Sequence, residues 1–124
     1  MILLPRSVRV YVSTTPTNLR KSFEGLSNEV RGLLSLDPLS GHVFLFLNRR
    51  RTQVKMLVMT RGGFTIVHKR LERGCFTFPQ QVGPEARRVE IDAHELSALL
   101  EGLQTSTAPC ARRWSPLVPG SAAG

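Results

Sequence analysis

Three apolar runs in the middle of the chain constrain its fold more than any other feature. They cover residues 43–47, 54–59 and 64–67, and short connections separate them. Runs of this length that are rich in valine, isoleucine and phenylalanine are typical of β-strands. The second connection contains Arg61-Gly62-Gly63, where glycine supplies the positive φ of a tight hairpin. The sequence therefore predicts an antiparallel meander with strands at residues 42–47, 52–60 and 63–69.

Both faces of the predicted meander are apolar. In the second run Val54, Met56 and Val58 fall on one face, and Leu57 and Met59 fall on the other. An antiparallel sheet with one face in water would instead alternate between apolar and polar residues. Each face therefore requires a cover. Two helices of this chain, one on each face, would provide it, and a second copy in a homodimer or another protein is the alternative.

The remaining elements are weaker in pattern but can be placed. Alternating valines predict an N-terminal strand at residues 6–13. Apolar residues at three- and four-residue spacing predict a helix that is capped by Thr17 or Asn18 and ends near residue 34. We expect short extended segments at residues 75–78 and 88–91. Asp92 and Glu95 have the spacing of a capping box, which predicts a second helix that ends near Gly102.

These elements together predict the fold class and the domain organisation. We expect an α+β fold, with a mainly antiparallel sheet formed by the N-terminal strand and the three-stranded meander, and with two principal helices. A single domain should cover residues 1–103, because the chain of 124 residues suits one domain. Residues 104–124 are rich in Ser, Thr, Pro, Ala and Gly without periodicity, which predicts a disordered, flexible C-terminal tail.

Positive charge is concentrated in the same region as the meander. Residues 48–73 hold eight basic side chains and one acid, Glu72, in a chain of net charge +8. A basic patch on a folded sheet is typical of a surface that binds a polyanion, most commonly nucleic acid. Arginine, the main basic residue here, binds phosphate through paired hydrogen bonds. The predicted nucleic-acid-binding residues are those of this cluster and of a second patch at the first helix: Arg49, Arg50, Arg51, Lys55, Lys69, Arg70, Arg73, Arg20 and Lys21.

Phenylalanines are interleaved with these basic residues and admit two interpretations. They are Phe44, Phe46, Phe64, Phe76 and Phe78. Aromatic side chains in a basic surface can stack on the bases of a single strand. The same residues on apolar strands are more often part of the core, and we favour the core.

Signals of enzyme chemistry are weak. The histidines His42, His68 and His94 lack metal-ligand spacing, and no glycine-rich phosphate loop precedes a helix. No serine or cysteine has an evident base partner in the sequence. Glu72 is the one acid suited to a nuclease, which is the weakest of the alternatives. We predict a protein that is not an enzyme and that uses no metal and no cofactor.

Cysteine usage and hydropathy predict the compartment. Cys75 and Cys110 lie far apart and form no CxxC or Cys/His cluster, so we expect free thiols in a reducing cytoplasm. Pro5 and Arg6 interrupt the apolar N-terminus too early for a signal peptide. No apolar run approaches the roughly 20 residues of a membrane span. The expected location is cytoplasmic, without membrane contact.

Several segments, in order, resemble one known family. The segment that resembles it most closely is residues 68–79, which read His-Lys-Arg-Leu-Glu-Arg-Gly-Cys-Phe-Thr-Phe-Pro, close to the family's Tyr-Lys-Arg-Leu-Glu-x-Gly-x-Phe-x-Trp-Pro. Residues 18–26, 37–46, 48–57 and 95–103 are similar to further blocks, so the likeness spans residues 5–103. The family is that of the TnpB accessory proteins of the insertion-sequence-66 transposons.

This resemblance implies a role in DNA transposition beside a separate, larger transposase. We expect a non-enzymatic accessory protein that binds transposon DNA through its basic patch in support of that transposase. The alternative is a protein-interaction adaptor that docks on the transposase without direct DNA contact, its basic loop meeting an acidic partner surface. The implied partners are DNA, the transposase and other proteins of the same element.

Overall fold

The computed structural model describes residues 7–76 and 86–101, together with the backbone of residues 105–106. A five-stranded sheet forms the centre of the fold, and its strands lie side by side in the order β4-β3-β2-β1-β6. Strands β5 and β7 form a second, two-stranded sheet. The elements in chain order are β1 Val10–Ser13, α1 Phe23–Gly32, β2 Val43–Leu47, β3 Gln53–Thr60, β4 Gly63–Arg70, β5 Cys75–Phe76, β6 Arg88–Ile91, α2 Ala93–Leu100 and β7 Thr105–Ser106.

Among the strands that the structure describes, pairing is antiparallel except between β1 and β2. These two strands run parallel, with Val10 opposite Val43 and Val12 opposite Leu45. The connection between them contains α1, as parallel pairs require a crossover. The three strands β2, β3 and β4 form the predicted antiparallel meander, and Gly62 in its hairpin has φ +85°. The predicted α+β class and mainly antiparallel sheet are thus confirmed, and β6 extends the sheet beyond β1.

The two helices cover opposite faces of the sheet, which explains why the strands are apolar on both sides. Leu26 and Val30 of α1 pack on Phe44 and Phe46, which are fully buried. We call this side the α1 face. Leu96 and Leu99 of α2 pack in the other cluster, on the α2 face, with the alternate residues of the same strands and with Phe76. The predicted intramolecular cover, one helix on each face, is confirmed.

Helix α2 begins as the sequence predicts, whereas α1 begins later. The capping box of α2 is present: the Glu95 backbone N–H donates to Asp92 Oδ1 at 2.7 Å, and the Asp92 N–H donates to Glu95 Oε1 at 3.1 Å. The prediction that Thr17 or Asn18 caps α1 is wrong, since the helix starts at Phe23. Asn18 instead forms a local turn, in which its Oδ1 accepts from the Arg20 N–H at 3.0 Å.

Helix α1 ends at Gly32, slightly before the predicted end. Ser35 has φ +54°, and the Leu36 N–H donates to the Val30 carbonyl at 3.0 Å, a bond that closes the last turn. Arg88 of β6 donates from Nη1 to the Leu34 carbonyl at 2.6 Å, and its guanidinium lies 5.8 Å from the centroid of the Tyr11 ring. A cation from the sheet edge thereby stabilises the C-terminal end of α1.

The C-terminal segment bears on two predictions. Cys75 is disulfide-bonded, so the expected free thiol at this position is wrong. The prediction failed because the distance between Cys75 and Cys110 in the sequence does not reveal how the folded chain places them. Cys75 is paired in β5 with Ser106 of β7, four residues before Cys110, the other cysteine of the chain. Apart from β7, the predicted flexible tail at residues 104–124 lies outside the described residues, as do residues 77–85.

Candidate nucleic-acid interface

The topology gathers seven of the nine predicted binding residues at one end of the sheet. Because β1 and β2 are parallel, both finish at this end, and the turn from β2 to β3 begins there. Strand β4 also ends there, with Arg70 opposite Gln53. We call this edge, formed by residues 48–53 and 68–73 together with residues 16–20, the basic end. Arg61, in the β3–β4 hairpin, lies at the opposite end of the sheet.

Asn48 organises the turn that presents the first arginines. Its Oδ1 accepts from the backbone N–H groups of Thr52 at 2.8 Å and Gln53 at 3.0 Å, and its Nδ2 donates to Thr52 Oγ1 at 3.0 Å. These bonds hold the turn closed and leave Arg49 and Arg50 exposed at its tip. An asparagine that binds backbone groups two to five residues ahead is typical of such turns.

Arg51 has a structural place in the same turn. Its φ is +58°, in the left-handed region that side chains other than glycine seldom adopt. Its carbonyl accepts from the Phe76 N–H at 2.7 Å, and its buried Nε has no hydrogen-bond partner. The neighbouring residues Arg70 and Arg73 are exposed at the end of β4 and in the following loop.

A cleft of about 590 Å³ opens at the basic end, beside the carboxyl ends of β1 and β2. In open sheets ligands commonly bind outside the carboxyl ends of parallel strands. One wall comes from the segment before α1 and the other from the β2–β3 turn and from β3 and β4. The lining residues are Pro16, Thr17, Asn18, Leu19, Arg20, Asn48, Arg49, Arg50, Gln53 and His68. The cleft thus brings Arg20 of the second predicted patch together with Arg49 and Arg50 of the first.

Two hydrogen bonds fix the segment before α1 across this end of the sheet. The Thr17 N–H donates to the Leu47 carbonyl at 2.9 Å, directly where β2 ends. Lys55 on β3 donates from Nζ to the Lys21 carbonyl, also at 2.9 Å. These bonds join the two walls, so the position of Arg20 relative to the β2–β3 turn is set by the folded sheet.

His68 and Gln53 form a polar pair in the cleft. His68 Nε2 lies 2.8 Å from Gln53 Oε1, across neighbouring strands. Partial burial, followed by the positive charges of Lys55 and Arg70, lowers the pKa of His68 below its usual value of 6.5. The ring is therefore neutral near pH 7, and its Nε2–H donates to the amide oxygen. This pair was not predicted from the sequence, although the register of a two-residue hairpin places His68 diagonal to Gln53.

The three predicted lysines already have partners within the protein. Lys21 forms an ion pair with Glu29 of α1, and Lys55 holds the Lys21 carbonyl. Lys69 donates from Nζ to the Leu100 carbonyl, at the C-terminal end of α2. A cation at this position satisfies a carbonyl that has no partner within the helix. The exposed members of the predicted set are all arginines: Arg20, Arg49, Arg50, Arg70 and Arg73.

The phenylalanines do not form a stacking surface in this cleft. Phe44, Phe46 and Phe76 are fully buried, so the core interpretation is confirmed for these three. Phe64 is partly buried and packs on the α1 face, and Phe78 lies outside the described residues. His68 supplies the one aromatic ring of the cleft lining.

A second, less basic groove of about 520 Å³ lies between α1 and the start of β4. It is lined by Phe23, Glu24, Ser27, Asn28, Arg31 and Phe64. Phe23 is 45% exposed, and the buried Ser27 hydroxyl has no hydrogen-bond partner. This groove combines an exposed aromatic ring, which a contact with another molecule would cover, with a buried hydroxyl that lacks a partner.

Within residues 7–76 and 86–101, no three side chains of His, Cys, Asp or Glu come together as a metal site would require. No helix in this part of the chain has the length and apolar composition needed to cross a bilayer.

Comparisons with known proteins place the chain among transposon proteins. A profile of the family described as "IS66 Orf2 like protein" matches residues 8–109. Two relatives come from Sinorhizobium fredii (strain NBRC 101917 / NGR234). Uncharacterized protein y4hO is 34% identical over 98 residues, which cover 79% of this chain and 83% of the relative. Uncharacterized protein y4jC is 30% identical over 103 residues, which cover 83% and 86% respectively. No solved structure matches the chain.

Proposed function

Because this chain belongs to the family of IS66 Orf2-like proteins, which are accessory proteins of DNA transposition, we propose that it binds DNA through the basic end of its sheet. It does so without catalysing a reaction, in support of a separate transposase. DNA binding would bring this protein and the other proteins of the element to the same DNA.

The observation that carries this proposal is the meeting of two basic segments around one cleft. Arg20 lies on one wall, and Arg49 and Arg50 lie on the other, with Arg70 and Arg73 exposed at the same end. Arginines that converge on a concave surface concentrate positive potential there, and they bind phosphate through two parallel hydrogen bonds. Such contacts position a protein on DNA without reading its sequence.

The test compares two variants with equal changes in charge. Arg20→Ala/Arg50→Ala removes one guanidinium from each wall, whereas Arg31→Ala/Arg61→Ala removes two exposed guanidiniums away from the basic end. Fluorescence anisotropy with a labelled DNA duplex at low salt measures the affinity of each. We expect the first variant to lose at least about tenfold in affinity and the second to change little, because short-range phosphate contacts outweigh net charge. Equal losses, or no binding by the wild-type protein at low salt, would refute the proposal.

The adaptor that docks on the transposase without direct DNA contact remains the second candidate function. The groove with the exposed Phe23 ring favours it, since exposed aromatic side chains are frequent anchors in protein interfaces. Co-purification of the two proteins after nuclease treatment separates the candidates. A complex that persists, and that Phe23→Ala weakens while Leu39→Ala does not, supports the adaptor; Leu39 is an exposed apolar residue outside the groove. A complex lost on nuclease treatment supports a DNA bridge. A homodimer stays a prediction.

A further inference from the structure

We propose that the cleft at the basic end receives one unpaired nucleotide of a DNA single strand, whose phosphates the arginines hold and whose base edge Gln53 and His68 contact. This inference rests on the proposed DNA binding and names the form of DNA that the same site prefers.

The size of the cleft favours a single nucleotide over a duplex. Its volume of about 590 Å³ falls within the range of roughly 300–1,000 Å³ that is usual for pockets that enclose small molecules. The walls are the segment before α1 and the β2–β3 turn, and hydrogen bonds hold both to the end of β2. A duplex keeps its bases paired inside the helix and exposes only their edges in the grooves, so it would contact the rim of a concave site and leave its interior empty.

The polar pair in the cleft has the chemistry to contact a base. Because His68 is neutral and donates from Nε2 to Gln53 Oε1, the other ring nitrogen is left as an acceptor. The Gln53 amide nitrogen has no partner in the described part of the protein and remains a donor. The Watson–Crick edge of a base carries both donors and acceptors, so either group of the pair can bond to it, and that edge is available only when the base is unpaired.

The arginines at the rim complete this arrangement. Arg20 and Arg50 lie on opposite walls and are exposed, so phosphates on either side of the bound nucleotide have a guanidinium within the same site. A guanidinium plane can also stack on an unpaired base. A free mononucleotide would offer the base and one phosphate but would lack the flanking phosphates that the strand supplies.

The test uses the full chain and three DNA forms of equal length: a single strand, a blunt duplex and a duplex with a short overhang. Gln53→Ala/His68→Ala removes the polar pair. Its control is Thr60→Ala/Thr65→Ala, which removes another side-chain pair across β3 and β4, with hydroxyls 3.0 Å apart, at the far end of the sheet. We expect the first variant to lose roughly 5- to 150-fold in affinity for the single strand and the overhang, the usual range for one base contact, and less than about twofold for the blunt duplex.

Two outcomes separate this inference from the proposed function. In the first outcome, Arg20→Ala/Arg50→Ala weakens binding to every DNA form, whereas Gln53→Ala/His68→Ala either weakens none or weakens duplex and single strand equally. The cleft then holds phosphate only, and the inference is wrong although DNA binding stands. If the wild-type protein binds no DNA form at low salt, both are wrong. Thermal melting monitored by circular dichroism confirms that each variant is folded.

A measurement on the unmodified protein gives an independent test. A single strand that carries one 5-bromouracil is cross-linked by light, and the cross-linked peptide is identified by mass spectrometry. We expect the link at the peptides that contain Gln53 or His68. Links confined to the groove near Phe23 would overturn the proposal. A competition experiment gives a second way to refute it. If deoxynucleoside monophosphates displace the strand at an equal nucleotide concentration, the cleft is a site for free nucleotides and the proposal is wrong.

Discussion

The number of exposed arginines at the basic end predicts how steeply DNA binding depends on salt. Each neutralised phosphate contributes about −0.9 to the slope of log K against log salt for duplex DNA. Five exposed arginines give a slope of about −4.5, which is a loss of about 500-fold in affinity between 50 and 200 mM salt. If all eight basic side chains of residues 48–73 made contacts instead, the slope would be about −7 and the loss about 20,000-fold. The smaller set includes Arg20 and leaves out four residues of the larger one. Lys55 and Lys69 bond within the protein, Arg51 is partly buried, and Arg61 lies at the opposite end of the sheet.

Variants assign this slope to particular side chains. Arg20→Ala/Arg50→Ala removes two contacts, so the slope should become shallower by about 1.8. Lys69→Met should leave it unchanged, because the Lys69 ammonium is bound to the C-terminal end of α2. The assay is fluorescence anisotropy with a labelled 20-base-pair duplex at four salt concentrations from 50 to 200 mM. A wild-type slope near −7, or an unchanged slope in the double arginine variant, would contradict this assignment of contacts.

Three further predictions concern stability, each measured by urea denaturation. Partial burial and then two neighbouring cations lower the pKa of His68, so the contribution of this residue to stability should be fully present above pH 6.5 and be lost as the pH falls through the lowered pKa. In His68→Gln the loss of stability over this range should be smaller, and an equal loss would contradict this expectation. Lys69→Met should cost about 1 kcal/mol, since it leaves a carbonyl of α2 without its donor; an unchanged free energy of unfolding would show that water replaces the bond. Gly32→Ala should stabilise by up to about 1 kcal/mol because its added Cβ meets nothing within 4 Å, whereas Gly25→Ala should destabilise because its Cβ would lie 2.8 Å from Lys21 Cβ. The same sign for both glycine variants would refute this packing argument.

Much of the fold could be predicted because its signals are local. The apolar pattern of β2 and β3 required cover on both faces, and two helices provide it. The hairpin glycine and the capping box each depend on residues within a four-residue segment, and the structure has both at the predicted positions. The start of α1 was misplaced because Asn18 suits both a helix cap and a turn, and only the tertiary bond from Thr17 to β2 selects the turn.

The site was less predictable, because its geometry depends on contacts between distant segments. The meeting of Arg20 with Arg49 and Arg50 depends on the parallel pairing of β1 with β2, which the local pattern of either strand does not specify. The lysines were counted as contacts for DNA because composition reveals charge and not partners. Which carbonyl groups lie within reach of Lys55 and Lys69 follows only from the packed helices.

The pairing of β1 with β6 has a consequence for the order in which the protein forms on the ribosome. The residues that line the cleft all lie between positions 16 and 68, whereas β1 pairs with a strand that begins at residue 88. A nascent chain that has emerged as far as residue 76 therefore already contains the whole cleft, although one edge of its sheet is still open. Unpaired strand edges are templates for association between chains. Truncated or slowly synthesised copies should consequently associate through β1, until the four-residue strand β6 pairs with it and becomes the edge of the sheet.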